Sequence, residues 1–366
     1  MKRKHAGKAS AVDRSNRIGG GLEGIGIREE TNMKKALSMI LAVSLCAAAL
    51  TGCGGSASSS AAASSEAGSA SAAGTKYKIG ICQLVEHDAL DAATKGFEDA
   101  LKEQLGEENV EFDFQNAQND TTTCATINNT FVSNGVDLIL ANATPALQAA
   151  AAATTEIPVL GTSVTEYGVA LGLDDFNGTV GGNISGTSDL PPLDQQAAMI
   201  QEWFPDAKKV GLLYCSAEPN SQYQVDVVQA ELEKLGYEAV QYSFADSNDL
   251  ASVCSSAAAD CDVIYVPTDN TAAANTGIID GICRPAGVPV IAGEEGIAKG
   301  CGVATLSISY YDLGKTTGEM AAKILTGEAD ISEMPIEYTT VTKKYNAEIC
   351  DALGLTAPEG YVAIEG

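Results

Sequence analysis

Histidine is nearly missing from this chain: His5 and His87 are the only two in 366 residues. That scarcity excludes a His-rich zinc or copper site. It leaves His87 as the one imidazole beyond the N-terminal segment, flanked only by Glu86 and Asp88, and sequence neighbours on a loop do not make a catalytic triad. Tryptophan occurs once, at Trp203, and aromatic residues make up 5% of the chain. Bases are also scarce, 22 Lys+Arg against 48 Asp+Glu, for a formal charge of −26. An acid excess of that size repels phosphate and excludes charge-driven binding to DNA, RNA or anionic lipid. None of the ten cysteines stands in a C-x-x-C pair, which removes zinc-ribbon and thioredoxin-like chemistry. G-x-S-x-G, G-x-x-x-x-G-K and H-E-x-x-H are absent too, so a hydrolase or nucleotide-binding enzyme lacks its motif. Nothing calls for a cofactor.

What is present begins with an N-terminal address. Met33-Lys34-Lys35 is a short basic segment, and Ala36–Leu50 is an uncharged, mostly apolar run of 15 residues. It is short for a membrane span and right for a signal peptide. It ends in Leu50-Thr51-Gly52-Cys53-Gly54, similar to a bacterial lipobox, in which the cysteine thiol takes up a diacylglycerol. The reading is a signal peptide over 33–52, a lipidated Cys53, and a Ser/Ala/Gly tether to residue 75 that cannot bury enough apolar surface to order itself. Residues 1–32 precede a complete signal peptide and read as a misassigned start, with Met33 first. Nine of the 22 bases and four of the 48 acids lie in residues 1–53, so the remainder carries 13 bases against 44 acids. Only one of those 13 is arginine, Arg284. Cysteines such as Cys82, Cys215, Cys261 and Cys301 lie within apolar runs and read as small buried hydrophobes; the spacing assigns no disulfide pairs.

From residue 76 short apolar runs alternate with helical patterns. Strands are expected at 78–83, 110–115, 137–141, 157–161 and 168–172, then at 209–214, 238–244, 263–266, 288–292 and 302–308. Helices are expected at 89–104, 121–133 and 145–154, then at 193–203, 221–235, 249–258, 271–284 and 311–325. The two series align. Lys78-Ile79-Gly80 matches Lys209-Val210-Gly211, Asn119-Asp120 matches Asn248-Asp249, Val136-Asp137-Leu138-Ile139 matches Cys261-Asp262-Val263-Ile264, and Ile157-Pro158-Val159 matches Val288-Pro289-Val290. The pairs keep their order at offsets of 125 to 131 residues. The pattern predicts an α/β chain of two doubly wound parallel-sheet lobes joined by a multi-strand hinge. Lobe 1 takes residues 76–186 with about 309–335, and lobe 2 takes 187–308 with about 336–366.

Ligands of open α/β sheets bind beyond the carboxyl ends of the strands. The loops expected there are polar: Glu86-His87-Asp88, Asn142-Ala143-Thr144-Pro145, Thr162-Ser163-Val164-Thr165, Glu218-Pro219-Asn220-Ser221, Thr268-Asp269-Asn270-Thr271 and Gly293-Glu294. For each of these residues helix capping is the alternative to ligand contact. Together with Gly186-Thr187-Ser188-Asp189 they resemble the ABC transporter substrate-binding lipoproteins of the tryptophan-binding type, over residues 77–342. The resemblance implies a type I periplasmic-binding-protein fold with three interlobe crossings. It implies a lipid-anchored, extracytoplasmic receptor that delivers solute to an ABC permease with its ATPase. Relatives have been linked to aromatic amino acids. Asp88 is a departure, since many relatives have Pro there.

Chemistry narrows the solute. An amino acid needs an anion for its ammonium, for which Glu86, Asp189, Asp269 and Glu294 are candidates. With Arg284 at a helix C-terminus, its carboxylate would be held by hydroxyls and helix N-termini: Thr144, Ser163, Thr165 and Ser221. His87, Asp88, Pro145, Glu218, Asn220, Thr268, Asn270 and Tyr310 complete the candidate set; Tyr167, Tyr223 and Tyr311 either stack on solute or fill the hinge. The expected protein is a monomeric solute receptor, not an enzyme. A lipid-anchored sensor, or a receptor for a sugar or nucleoside, is the alternative.

Overall fold

A computed structural model describes residues 76–365, and the expected signal peptide, lipidated Cys53 and tether lie outside them. The first sheet is laid down by β1 (Tyr77–Gln83), β2 (Val110–Asn116), β3 (Leu138–Asn142), β4 (Val159–Val164) and β5 (Ile184–Ser188), with α1 (Asp88–Leu105), α2 (Thr121–Asn134), α3 (Thr144–Ala153) and α4 (Tyr167–Leu171) between them. The second series is α5 (Leu193–Trp203), β6 (Lys209–Cys215), α6 (Pro219–Lys234), β7 (Glu238–Phe244), α7 (Ser247–Asp260), β8 (Val263–Val266), α8 (Asn270–Ala273), α9 (Thr276–Ala286), β9 (Val290–Ala292), α10 (Glu295–Cys301) and β10 (Ala304–Ser307). The chain then returns with α11 (Tyr310–Leu325) and β11 (Glu337–Tyr338), and ends with β12 (Thr342–Tyr345), α12 (Ala347–Leu353) and β13 (Val362–Ala363).

The sheets run β2-β1-β3-β4-β5-β11 and β7-β6-β8-β9-β10-β12-β13. All pairs are parallel except β10 with β12. The same order in both lobes is the sequence repeat made visible. Its aligned acids do the same work: Asp137 accepts from the backbone of Lys78 at 2.7 Å, and Asp262 from Lys208 and Lys209 at 2.8 and 2.9 Å. The helix caps correct one pairing. Asp120 caps α2 through Thr123 N, but its counterpart on α7 is Asp246, three residues before Asp249.

Three further expectations are corrected. Residues 168–172 are not a strand but part of helix α4, capped by Glu166, whose carboxylate accepts from Val169 N, and closed by left-handed Gly172. The fifth strand is β5, Ile-Ser-Gly-Thr-Ser, a polar strand buried at every position. Its hydroxyls are satisfied internally: Ser185 donates to Met334 O, Ser188 to Thr165 O, and Thr187 shares contacts with Thr162 and Thr317. The helix expected over 271–284 breaks at Asn275 into α8 and α9. Because β5 and β11 pair in the first sheet, Thr187, Ser188 and Glu337–Tyr338 belong with the first lobe rather than the second. The crossings follow at 189–192, 308–309 and 339–341.

Packing follows from the helical stripes. α1 buries Leu90, Ala93, Phe97 and Leu101 on one face, where each large side chain contributes about 1.5–3 kcal/mol. The other wall of that contact is α11, which carries Gly314-x-x-x-Gly318 against Gly96 of α1. A Cβ at Gly314 would overlap Ala93 O, and one at Gly96 would overlap Tyr311 O, so the two backbones touch. All eight cysteines of the described residues are buried and free, as small core residues. Trp203 is buried against Tyr361, edge to face at 5.2 Å, on the core side of α5. Arg284 closes α9 through ion pairs with Asp280 and Glu348.

Candidate functional site

The switch points of the two sheets lie between β1 and β3 and between β6 and β8, where strand order reverses. A buried polar network fixes the first. Gln83, at the end of β1, accepts from Thr94 Oγ1 at 2.6 Å and donates to Asp91; Asn142, at the end of β3, donates to Leu90 O and Thr94. These bonds pin the first turn of α1, and with it His87, against the strand ends. The second switch point is fixed by Gln224 of α6, which both donates to Thr268 O and accepts from Thr268 N, each at 3.0 Å.

Between these points lies a cavity walled by both lobes. From the first come His87, Leu90, Ser163 and Thr165; from the second come Asn220, Thr268, Asp269, Asn270, Ala273 and Glu294. Asp189 enters from the first crossing and Tyr310 from the start of α11, directly after the second. Its free volume is about 10 Å³, room for at most one water, so a solute enters only when the lobes part. Two bonds hold them together: His87 Nε2 to Asn270 Oδ1 at 3.3 Å, and Asn119 Nδ2 to Thr271 Oγ1 at 3.0 Å. Burial lowers the pKa of His87, so the ring is neutral at physiological pH.

Four carboxylates are buried here, and their partners separate them. Asp269 caps α8, with Oδ1 on Ala272 N at 2.8 Å and Oδ2 on Cys215 N at 2.7 Å. Glu294 caps α10, with its oxygens on Gly296 N at 2.6 Å and Ile297 N at 2.5 Å. Glu218 accepts four bonds from Asn270 and Thr271. Asp189 is different. Its Oδ2 accepts from the Tyr310 hydroxyl at 2.9 Å, and its Oδ1 has no partner, although the residue is 3% exposed. Burial pushes Asp189 up to about 6 and Glu294 up to about 7. Asp269 is raised as well, by burial and then by the neighbouring charge of Glu218.

Ser163 Oγ and Asn220 Oδ1 are likewise buried and unpaired. Ser163 holds φ +53°, a left-handed conformation that costs a non-glycine residue about 1 kcal/mol or more. Asp189, Asn220 and Ser163, each with one buried, unpaired oxygen, are thus all among the residues that line the cavity. No lysine or arginine among the described residues lines it.

Ten of the sixteen residues singled out from sequence meet at this cavity: His87, Ser163, Thr165, Asp189, Asn220, Thr268, Asp269, Asn270, Glu294 and Tyr310. Six do not line it. Glu86 is exposed, and Asp88 is exposed in a neighbouring cavity of about 320 Å³ that shares only Glu294 and Tyr310. Thr144 and Pro145 are buried in the first turn of α3, Glu218 lies behind α8, and Ser221 faces Thr268 O. Of the other tyrosines, Tyr167 is buried and donates to Thr187 O, Tyr311 reaches Asp99 on the surface, and Tyr223 is outside the lining. Sequence reasoning missed Leu90, Ala273 and Asn119. Leu90 was within reach, one helical turn beyond His87; nothing in the sequence marks Ala273.

Residues 78–363 match the family described as ABC transporter substrate binding protein. A tyrosine-binding protein of Clostridioides difficile (strain R20291) is 39% identical over 305 residues, 83% of this chain and 87% of that one. An ABC domain from Streptococcus pneumonia in complex with L-Trp is 33% identical, with a TM-score of 0.75 over 79% of this chain and 100% of the other. The ligand-free, open structure of a substrate binding protein with adhesive properties from Clostridium difficile is 40% identical, with a TM-score of 0.61 over 79% and 99%. The chain overlays better on the L-Trp complex than on the open structure, despite the lower identity. That order agrees with the bonds across the cleft: the lobes are shut. Both lobes have the type I periplasmic-binding-protein architecture.

Proposed function

This chain belongs to the ABC transporter substrate-binding protein family, whose members are extracytoplasmic solute receptors and not enzymes, and from that premise we propose that its interlobe cavity captures a free amino acid, aromatic ones favoured. One observation carries the reading. Of four buried carboxylates, only Asp189 keeps an oxygen free, and it borders the cavity. A buried unpaired carboxylate oxygen is costly until a donor reaches it, and an ammonium is the donor that also neutralises it. Asn220 Oδ1 supplies a second acceptor, and Ser163 a hydroxyl for the solute's carboxylate. Without a lysine or arginine in the walls, anionic solutes find no counter-charge. The tyrosine- and L-Trp-binding relatives support the aromatic preference.

Calorimetry against the twenty amino acids, glucose and adenosine tests the reading. Heat from L-tyrosine or L-tryptophan, lost in Asp189→Asn, is the expected result. Binding of sugar or nucleoside alone would overturn it.

The same proposal includes the anchor and the destination. Cys53 is lipidated after removal of residues 33–52, and the loaded, closed receptor docks on a permease powered by its ATPase. Metabolic labelling with an alkyne fatty acid should mark the wild type and spare Cys53→Ser. Uptake of labelled amino acid should fall in cells lacking the protein; undiminished uptake would favour sensing over import.

A further inference from the structure

We propose that Glu218 is a positioning residue that sets the polarity of a latch between the lobes. It is 3% exposed and does not line the solute cavity. Each of its oxygens takes two donors. Oε2 accepts from Asn270 N at 3.0 Å and Asn270 Nδ2 at 2.7 Å; Oε1 accepts from Thr271 N and Thr271 Oγ1, both at 2.8 Å. A carboxylate only accepts, so it dictates which way each partner faces.

Asn270 must turn its NH₂ to Glu218, which leaves Oδ1 facing His87 across the cleft. An amide oxygen accepts, so His87 Nε2 carries the proton and donates. Thr271 spends its single hydroxyl proton on Glu218, so its oxygen is the acceptor for Asn119 Nδ2. Both bonds join lobe 1 to lobe 2, and both owe their direction to one carboxylate behind them. The lobe 1 side is shaped in advance: Gln118 and Asn119 hold φ +54° and +62°, and Asn119 N donates to Leu84 O at 2.7 Å.

Glu218→Gln keeps the shape and replaces one acceptor oxygen by NH₂, which meets two donors. The local pattern then breaks: either Asn270 turns over and sets its NH₂ against His87 Nε2–H, or the Thr271 hydroxyl loses its acceptor at residue 218 and is free to turn its proton toward Asn119. On this proposal the lobes reclose over a solute on the same two bonds, so weakening the latch raises the open population and the rate of solute loss. A latch effect is equal for every solute, whereas a contact effect is not.

The test uses the full chain and Glu218→Gln, with Asn119→Ala as a second variant that leaves the carboxylate in place. Imidazole ¹⁵N shifts at pH 7.5 should report the Nε2–H tautomer of His87 in the wild type and, where Asn270 turns over, its loss in Glu218→Gln. The radius of gyration from X-ray scattering should rise in Glu218→Gln. L-tyrosine and L-tryptophan should leave faster by a common factor, roughly tenfold, and Asn119→Ala with Glu218→Gln should cost less than the sum of the two. An unchanged tautomer and radius, a changed tyrosine-to-tryptophan ratio, or strict additivity would each overturn the proposal. The affinity arm rests on the amino acid reading. If the wild type bound neither amino acid, that reading would fail while spectroscopy and scattering still decided the latch.

Discussion

Tyr310 donates its hydroxyl to Asp189 Oδ2 at 2.9 Å; Asp189 opens the first crossing between the lobes and Tyr310 directly follows the second, 121 positions on. One bond therefore ties the first crossing to the start of α11, just past the second, and fixes the Asp189 carboxylate at the cavity wall. It also favours the charged form of the carboxylate. Tyr310→Phe should weaken amino acid binding by about 1.5–3 kcal/mol, the range for a bond to a charged group. Calorimetry at pH 7.5 measures it, and repetition at pH 6 should show a larger loss, because Asp189 without its donor holds its proton to higher pH.

Binding should follow the protonation of Asp189. Its carboxyl, pushed up to about 6 by burial, faces Tyr310, Thr165 and, through the cavity, Glu294. An ammonium requires the ionised form, so affinity should fall as pH drops through about 6. A flat profile from pH 5 to 8 would remove Asp189 as the ammonium partner.

The same shifts act on stability with the opposite sense. Asp189 and Glu294 have folded-state values above those of the unfolded chain, so burial favours their protonated forms. The stability they contribute is full below the ordinary carboxylate range and is lost as pH rises through about 6 and about 7. The melting temperature of the solute-free protein should decline between pH 5 and 8. Asp189→Asn should flatten the lower part of that decline.

Two glycine substitutions should move stability in opposite directions. Gly314→Ala places a methyl on Ala93 O and must part α1 from α11, costing about 1–3 kcal/mol or more. Gly281→Ala, on α9 with nothing within 4 Å, should gain up to about 1 kcal/mol from helix propensity. Chemical denaturation of both variants reads the contrast.

The repeat and most of the strands were legible in sequence because buried parallel strands are continuous apolar runs. β5 was hidden for the converse reason: its Ser and Thr residues are buried by bonding one another and nearby carbonyls, which hydropathy reads as loop. The loops forming the site were legible as polar strand ends. Their roles were not. Asp189, Asp269 and Glu294 look alike in sequence, and only the backbone N–H groups beside Asp269 and Glu294 reveal that these two are occupied as caps.

The glycine contact between α1 and α11 also governs the order in which the protein can be completed. α1 is made from residues 88–105, and the helix that covers it is not synthesised until residues 310–325. Between them lie β6 to β10, five mutually parallel strands of the second sheet. The first lobe thus begins first and is finished late, and a chain stopped before residue 310 exposes the part of α1 that α11 covers. Closing a contact across more than 200 residues is entropically slow. A nascent chain of this design stays unfinished, and open to capture by other machinery, until about its last sixth is available.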